Sequence, residues 1–202
     1  MNKFGYLMLA ALITGIFIAA ACADSSTKQN DPVFATRAIG DQEWMISNLD
    51  VDTFRNGDPI PHAKTTEEWL QAAGQQQPAW CYLNNDPANS QKYGKLYNWF
   101  AVNDPRGLAP EGFHVPTEKE WDRLIGFLQA ENNGDFNEWN TPGGYRNHDG
   151  RFLEPEEKAN WWAGDKSMKI LAVNYTFDPR SKIFKKQASD QPIGFSVRCL
   201  RD

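Results

Sequence analysis

The chain has 202 residues, 41% of them hydrophobic, and a formal net charge of −5. After an N-terminal export segment, that length fits one domain with a sizeable core. The mildly acidic balance, without a basic stripe in the sequence, argues against nucleic acid as a partner. Eight tryptophans follow residue 43, so aromatic residues are concentrated in the predicted domain.

The N-terminus has the pattern of a lipoprotein signal. Lys3 precedes an apolar run over residues 7–21, which is shorter than the about 20 apolar residues that a spanning helix needs. Three alanines end the run directly before Cys22, and this resembles a bacterial lipobox, in which the peptide is cut before a lipidated cysteine. Ordinary secretion, with cleavage near Ala21 or Ala23, is the alternative.

The acyl chains of such a cysteine would hold the domain to a membrane, and we expect the bacterial outer membrane. The following residues are polar and lack aromatics, so they are typical of a flexible tether. The predicted organisation is a signal peptide over residues 1–21, a lipidated Cys22 with a tether over residues 22–32, and one domain over residues 33–202.

Three cysteines leave an odd thiol to explain in an exported protein. If Cys22 carries lipid, Cys81 and Cys199 remain as a candidate disulfide pair in an oxidising compartment. Two buried free thiols are the alternative. A metal site is not indicated, because neither cysteine has a CxxC neighbour or clustered histidines.

Short strands are predicted over residues 33–39, 43–49 and 79–83. Between them, Thr65 and Glu68 form a capping box that starts a helix over residues 65–74, with Trp69 and Leu70 as its apolar face.

Two further helices are predicted in the middle of the chain. Apolar residues recur at helical spacing over residues 93–102. A second capping box joins Thr117 to Glu120 and starts a helix that runs to about Ala130 by its apolar spacing.

Regularity falls after this helix, and residues 131–164 are predicted to be loops and short strands. Strands follow over residues 168–173, 182–186 and 194–200. In the last strand, alternation predicts one buried face and one open face. Two main helices, short strands at both ends and a long irregular region give an α+β fold class.

Six segments in order resemble the Fibrobacter succinogenes major paralogous domain, a family of bacterial surface and secreted proteins. The resemblance implies a C-type-lectin-like fold with short antiparallel strands, and it carries no settled activity. The family often has a cysteine at the position of Ala109, so a bridge to that position is absent here. The segments cover residues 39–49, 81–86, 93–102, 110–121, 142–146 and 194–199.

No catalytic motif is found: the chain lacks a G-x-S-x-G elbow, a P-loop and a GxGxxG sequence. Its histidines lack metal-ligand spacing, so no metal and no cofactor is expected. Calcium remains an alternative, because residues 84–86 and Asp104 offer oxygen ligands. The candidate ligand-binding residues are four aromatics of the irregular region, for which loop packing is the alternative: Trp139, Tyr145, Trp161 and Trp162.

These observations favour a non-enzymatic envelope lipoprotein. Its membrane contact is the N-terminal lipid, and its domain is expected to bind a glycan or a protein. A structural envelope or appendage subunit and an enzyme of unknown activity are the alternatives.

Overall fold

A computed structural model describes residues 34–130, 136–165 and 169–202. The predicted signal peptide, Cys22 and the tether lie outside these residues. Within them, helices and small antiparallel sheets are mixed, which confirms the α+β class. None of the helices in these ranges has the length and hydrophobicity that a bilayer-spanning segment needs.

The described ranges contain eleven strands and four α-helices. The strands are β1 (Thr36–Ile39), β2 (Gln42–Met45), β3 (Trp80–Cys81), β4 (Leu96–Tyr97), β5 (Phe113–His114), β6 (Tyr145–Arg146), β7 (Phe152–Leu153), β8 (Ala159–Trp162), β9 (Leu171–Asp178), β10 (Ile183–Asp190) and β11 (Leu200–Arg201). The helices are α1 (Thr66–Gln75), α2 (Ser90–Tyr93), α3 (Trp99–Val102) and α4 (Glu118–Ala130).

The strands form four sheets in these ranges. The first has the order β1-β2-β11-β5, so strands from both ends of the domain lie side by side. The second has the order β10-β9-β8, and its long β9–β10 pair runs from Asp178 opposite Ile183 to Leu171 opposite Asp190. Two-stranded sheets join β3 to β4 and β6 to β7.

Helix α1 begins as its sequence predicts. The Thr65 hydroxyl accepts from the Glu68 backbone N–H at 3.2 Å, and the Glu68 carboxylate accepts from the Thr65 N–H at 3.1 Å. Its apolar face differs from the prediction, because Trp69 is buried whereas Leu70 is 46% exposed. Successive residues on a helix point about 100° apart, so neighbours do not share one face. The helix passes Gly74 and ends at Gln75, and Gln76 caps it in the left-handed conformation.

The helix predicted over residues 93–102 is wrong, although most of its apolar residues are buried. Gly94 takes φ 68° and ψ −151°, which ends α2 and turns the chain into β4. A Cβ at Gly94 would lie 2.6 Å from the Leu49 carbonyl oxygen, so the close approach requires glycine. Asn98 then caps α3, and its Oδ1 accepts from the Ala101 N–H at 3.0 Å.

Helix α4 confirms the second capping box. The Glu120 carboxylate accepts from the Thr117 N–H at 2.7 Å, and the Thr117 hydroxyl lies 3.4 Å from the Glu120 N–H. Trp121, Leu124 and Leu128 form its buried face, as their spacing predicts.

The C-terminal segment is buried on both faces, so the predicted open face is wrong. Every residue from 193 to 200 is buried, including Arg198. The segment threads between the sheets: Gly194 pairs with Arg146, Phe195 with Tyr97 and Ser196 with Trp161. Leu200 then pairs with Trp44 and His114 in the first sheet. Both faces of the segment are therefore covered by other parts of the protein, and the alternation of apolar and polar residues does not mark a solvent-exposed face here.

The predicted disulfide is also corrected, because Cys81 and Cys199 are free, buried thiols. Cys81 packs with Trp69 and Leu96 in one apolar cluster, whereas Cys199 belongs to a different cluster. Burial raises the pKa of the Cys81 thiol to about 11 and that of the Cys199 thiol to about 12. Both thiols therefore behave as core side chains.

Candidate functional site

Three of the four aromatic residues predicted to bind a ligand lie in the core. Trp139, Trp161 and Trp162 have 0% of their surface exposed. The expectation that their faces meet a ligand is corrected, since other side chains cover them. The alternative interpretation, that these side chains pack inside the protein, agrees with their burial.

The contacts of these indoles explain their burial. The Trp161 N–H donates to Asn48 Oδ1 at 2.8 Å, and the Trp162 N–H donates to the Tyr97 carbonyl at 2.8 Å. Trp161 and Trp162 belong to β8, which is a strand of the second sheet and not a loop. Consecutive residues of a strand point to opposite faces, so both faces must be covered to bury this pair.

The fourth residue, Tyr145, lines a pocket. Its ring meets Phe195 edge-on, with 5.5 Å between the ring centroids. Burial raises the pKa of its hydroxyl, and the charge of Glu154 acts in the same direction. The phenol is therefore neutral at physiological pH and can donate or accept one hydrogen bond.

The pocket occupies one face of the second sheet and has a volume of about 230 Å³. Strands β8, β9 and β10 supply its floor, while residues of the β6–β7 region and the C-terminal segment supply its walls. The lining residues are Tyr145, Glu154, Lys158, Asn160, Thr176, Asp178, Ile183, Lys185, Gln187, Ser189, Ile193 and Phe195.

The floor of the pocket is a row of amides and hydroxyls. The Thr176 hydroxyl lies 2.7 Å from Asn160 Oδ1 and 2.9 Å from Gln187 Oε1. A hydroxyl carries one proton, so Thr176 can donate to only one of these oxygens. Because Asn160 Nδ2 donates to the Gly144 carbonyl at 3.3 Å, the Asn160 amide is fixed and receives that proton. Gln187 therefore retains hydrogen-bonding capacity for a ligand.

A second polar pair lies beside this row. The Ser189 hydroxyl donates to Asn174 Oδ1 at 2.9 Å. Asn174 has no exposed surface, and its Nδ2 has no hydrogen-bond partner among the described residues. An unpaired buried amide N–H destabilises a fold by about 1–3 kcal/mol. This N–H lies on the polar face of the sheet, beside the pocket floor.

Charged groups surround the floor. Lys158 pairs with Glu154, and Glu154 has a left-handed backbone with φ 54°. Asp178 accepts from the Arg180 N–H at 2.9 Å, and this hydrogen bond is the main cause of its lowered pKa. Asp178 is therefore held as a carboxylate and is unsuited to act as a general acid. Amides, hydroxyls and an aromatic edge can bind a polar molecule, and none of them is arranged as an activated nucleophile.

A smaller cavity of about 200 Å³ lies between α1 and the residues that flank β3. His62 lines it and stacks on Trp80, with 3.8 Å between the ring centroids. Burial lowers the pKa of His62, and nearby Lys64 adds to the effect. The Nζ of Lys95 also lies over the Trp80 ring, and it is 2.6 Å from Asp50 Oδ1. The larger pocket is the better candidate, because its polar side chains form one row on a sheet and Tyr145 lies beside them.

Three of the four oxygen ligands suggested for calcium have other partners. Asn85 Oδ1 accepts from Arg146, Asp86 caps the Ala88 N–H, and Asp104 pairs with Arg106 at 2.8 Å. No group of three histidine, cysteine, aspartate or glutamate side chains in the described ranges could hold a metal ion.

Sequence analysis does not identify the polar floor of the pocket, although the sequence of β9 contains a signal for it. In β9, Asn174, Thr176 and Asp178 alternate with apolar neighbours, and this is the period-2 pattern of a strand with one polar face. The prediction ended this strand at residue 173, before the pattern begins.

Comparison with known proteins identifies the family. The family model of the Fibrobacter succinogenes major domain matches residues 38–141, just over half of the chain. Neither a curated protein nor a solved structure matches the chain. The matched region ends before Tyr145, so the pocket lies beyond it. The chain belongs to the Fibrobacter succinogenes major domain family.

Proposed function

We propose that the chain is a cell-envelope lipoprotein whose domain binds a saccharide in the pocket of the second sheet, without enzymatic turnover. The observation that carries the proposal is the neutral polar floor beside Tyr145. Sugar hydroxyls both donate and accept hydrogen bonds, and amide and hydroxyl side chains offer the matching groups. An aromatic ring with a polar tip suits a ligand that has apolar and wet sides.

The size of the pocket supports a small ligand. Its volume of about 230 Å³ is below the roughly 300–1,000 Å³ of drug-sized sites, which favours a single sugar unit of a longer glycan. The exposed residues of β10 leave one side of the pocket open to solvent, so the remainder of the glycan can continue outside it.

The proposal includes a C-type-lectin-like fold and an anchored location. The pairing of β2 with β11, which brings both ends of the domain into one sheet, supports the fold. The apolar run before Cys22 supports lipidation and the outer membrane as the location. A chain held at one end presents its domain to external glycans.

The test uses the chain from residue 23 onward, because all three apolar clusters lie within residues 34–202. A glycan array is followed by calorimetry on the bound sugar. We expect Gln187→Ala to weaken binding at least tenfold without loss of the fold. Gln71→Ala, the same change beside the smaller cavity, is the matched control and should leave affinity unchanged.

A blank array from a folded sample, or equal effects of the two variants, would overturn the proposal.

A structural subunit is the second candidate function, favoured by the free edge of β10. This strand has eight residues and pairs only with β9 among the described strands. An exposed edge can accept a further strand from another chain. This function predicts stoichiometric co-purification with an envelope protein. It also predicts loss of that partner in Ala188→Pro, because the register directs the Ala188 N–H away from β9 and toward the free edge.

A further inference from the structure

We propose that the pocket prefers an acidic saccharide, whose negatively charged group contacts Nζ of Lys185. This inference rests on the proposed function and adds a ligand class to it. It begins with Lys185 and Lys186, two consecutive lysines of β10 that point to opposite faces of the sheet.

The two lysines have different electrostatic surroundings. Lys186 Nζ lies 2.6 Å from Glu118 Oε2 and 3.3 Å from Asp122 Oδ2. Lys185 lines the pocket and makes no ion pair with any carboxylate in the described ranges. The charge of Lys186 is therefore compensated by two ion pairs within the protein, whereas Lys185 forms none with the described carboxylates.

The carboxylates of the pocket are already engaged. Glu154 pairs with Lys158 at the wall. Asp178 accepts from the backbone N–H groups of Arg180 and Ser181. Asp178 lies opposite Ile183, diagonal to Lys185, and no ion pair joins these two described side chains. An anionic ligand would thus meet a cation that has no internal partner.

The overall negative charge does not prevent this contact. Exposed charges farther apart than about 8 Å are largely screened at physiological ionic strength, so the groups nearest the ligand decide the interaction. Because Lys185 is exposed, the ion pair would be partly solvated, and a preference of about fivefold over the neutral sugar is expected. A carboxylate and a sulfate share the charge that makes this contact.

The test uses an array on which each sugar is present in neutral, carboxylated and sulfated form. The chain from residue 23 is compared with Lys185→Gln and with its matched control Lys186→Gln. We expect an anionic form to bind about fivefold more tightly than its neutral counterpart. This excess should disappear in Lys185→Gln, persist in Lys186→Gln, and decrease as sodium chloride is raised.

Each outcome has one meaning. Equal binding of neutral and anionic forms, or an excess that survives in Lys185→Gln, overturns the acidic preference and leaves saccharide binding intact. An excess lost equally in Lys186→Gln also overturns it, because the effect would then come from general charge. A folded sample that binds no sugar overturns the proposed function and this inference together.

Discussion

The two faces of the β8-β9-β10 sheet have opposite character, one aromatic and one polar. On one face, Tyr175 stacks on Trp121 with 5.0 Å between ring centroids, and Phe177 lies 4.6 Å from Phe184. On the other face, the same strands present Asn160 and Thr176 to the pocket. One strand sequence therefore serves the core and a solvent-facing cavity at alternate positions.

This difference teaches that burial alone does not identify a core residue. Asn174 is as fully buried as Tyr175, its neighbour in β9. Tyr175 gains aromatic contacts from that burial, whereas Asn174 is left with an unpaired N–H. Aromatic rings on the first face should thus control stability, and polar groups on the second face should control recognition.

The largest expected effect comes from removing both tryptophans of β8. Each large-to-small change of a buried tryptophan destabilises a fold by about 3–5 kcal/mol. The total free energy of unfolding of a domain is about 5–15 kcal/mol, so the double variant Trp161→Ala/Trp162→Ala should be largely unfolded. Near-UV circular dichroism and urea denaturation measure this loss.

Phe127→Ala is the control, since Phe127 is 40% exposed and should matter much less. A double variant that stays folded and loses only ligand binding would restore the surface interpretation of these tryptophans.

The second prediction uses the two thiols as reporters of the core. The thiolate is the reactive form, and burial raises the pKa of Cys199 to about 12. In the folded chain from residue 23 at pH 8, which lacks Cys22, neither Cys81 nor Cys199 should react with a thiol reagent, and both should react in denaturant. Variants of the aromatic face should expose them, whereas variants of the polar face should not.

The same shift predicts a dependence of stability on pH. Unfolded cysteine has a pKa of about 8.5, so stability from the protonated thiols is fully present below that pH. This stability is lost as the pH rises through the folded pKa values, which are about 11 for Cys81 and about 12 for Cys199.

In the thiol-reagent assay, detection of no thiol even in denaturant would show instead that Cys81 and Cys199 are bridged.

The smallest expected effect on stability comes from the polar face. Thr176→Val removes the hydroxyl that donates to Asn160 Oδ1, and the unpaired amide should destabilise the fold by about 1–2 kcal/mol. The loss in the free energy of saccharide binding should be much larger than the loss in the free energy of unfolding. Thr53→Val, at an exposed threonine, should change the free energy of unfolding by less than about 0.5 kcal/mol. A variant that unfolds would contradict the separation of the two faces.

Local signals in the sequence were sufficient for part of the fold. Capping boxes located the starts of α1 and α4, because a cap depends on residues three positions apart. The prediction of a helix over residues 93–102 is wrong, because the chain at Gly94 lies close to Leu49, which is distant in sequence. The α+β class survives this error because it depends on the mixture of elements and not on each boundary.

Of the residues that line the candidate site, sequence analysis identified only Tyr145. Trp161 and Trp162 lie in turn-rich sequence, and a short strand covered on both faces has no period that distinguishes it from a loop. The pocket joins Asn160 to residues of β9 and β10, and that meeting is set by strand pairing. Only the alternation within β9 was open to sequence reasoning.

The buried C-terminal segment has a consequence for the timing of folding. Gly194, Phe195, Ser196 and Leu200 each pair with a different part of the molecule. During synthesis, the earlier part of the domain lacks these partners until residues 194–200 have left the ribosome. The domain therefore cannot complete its structure before this segment is available, and contacts this distant in sequence make folding slow. Deleting residues 193–202 would remove the segment that pairs with all four described sheets.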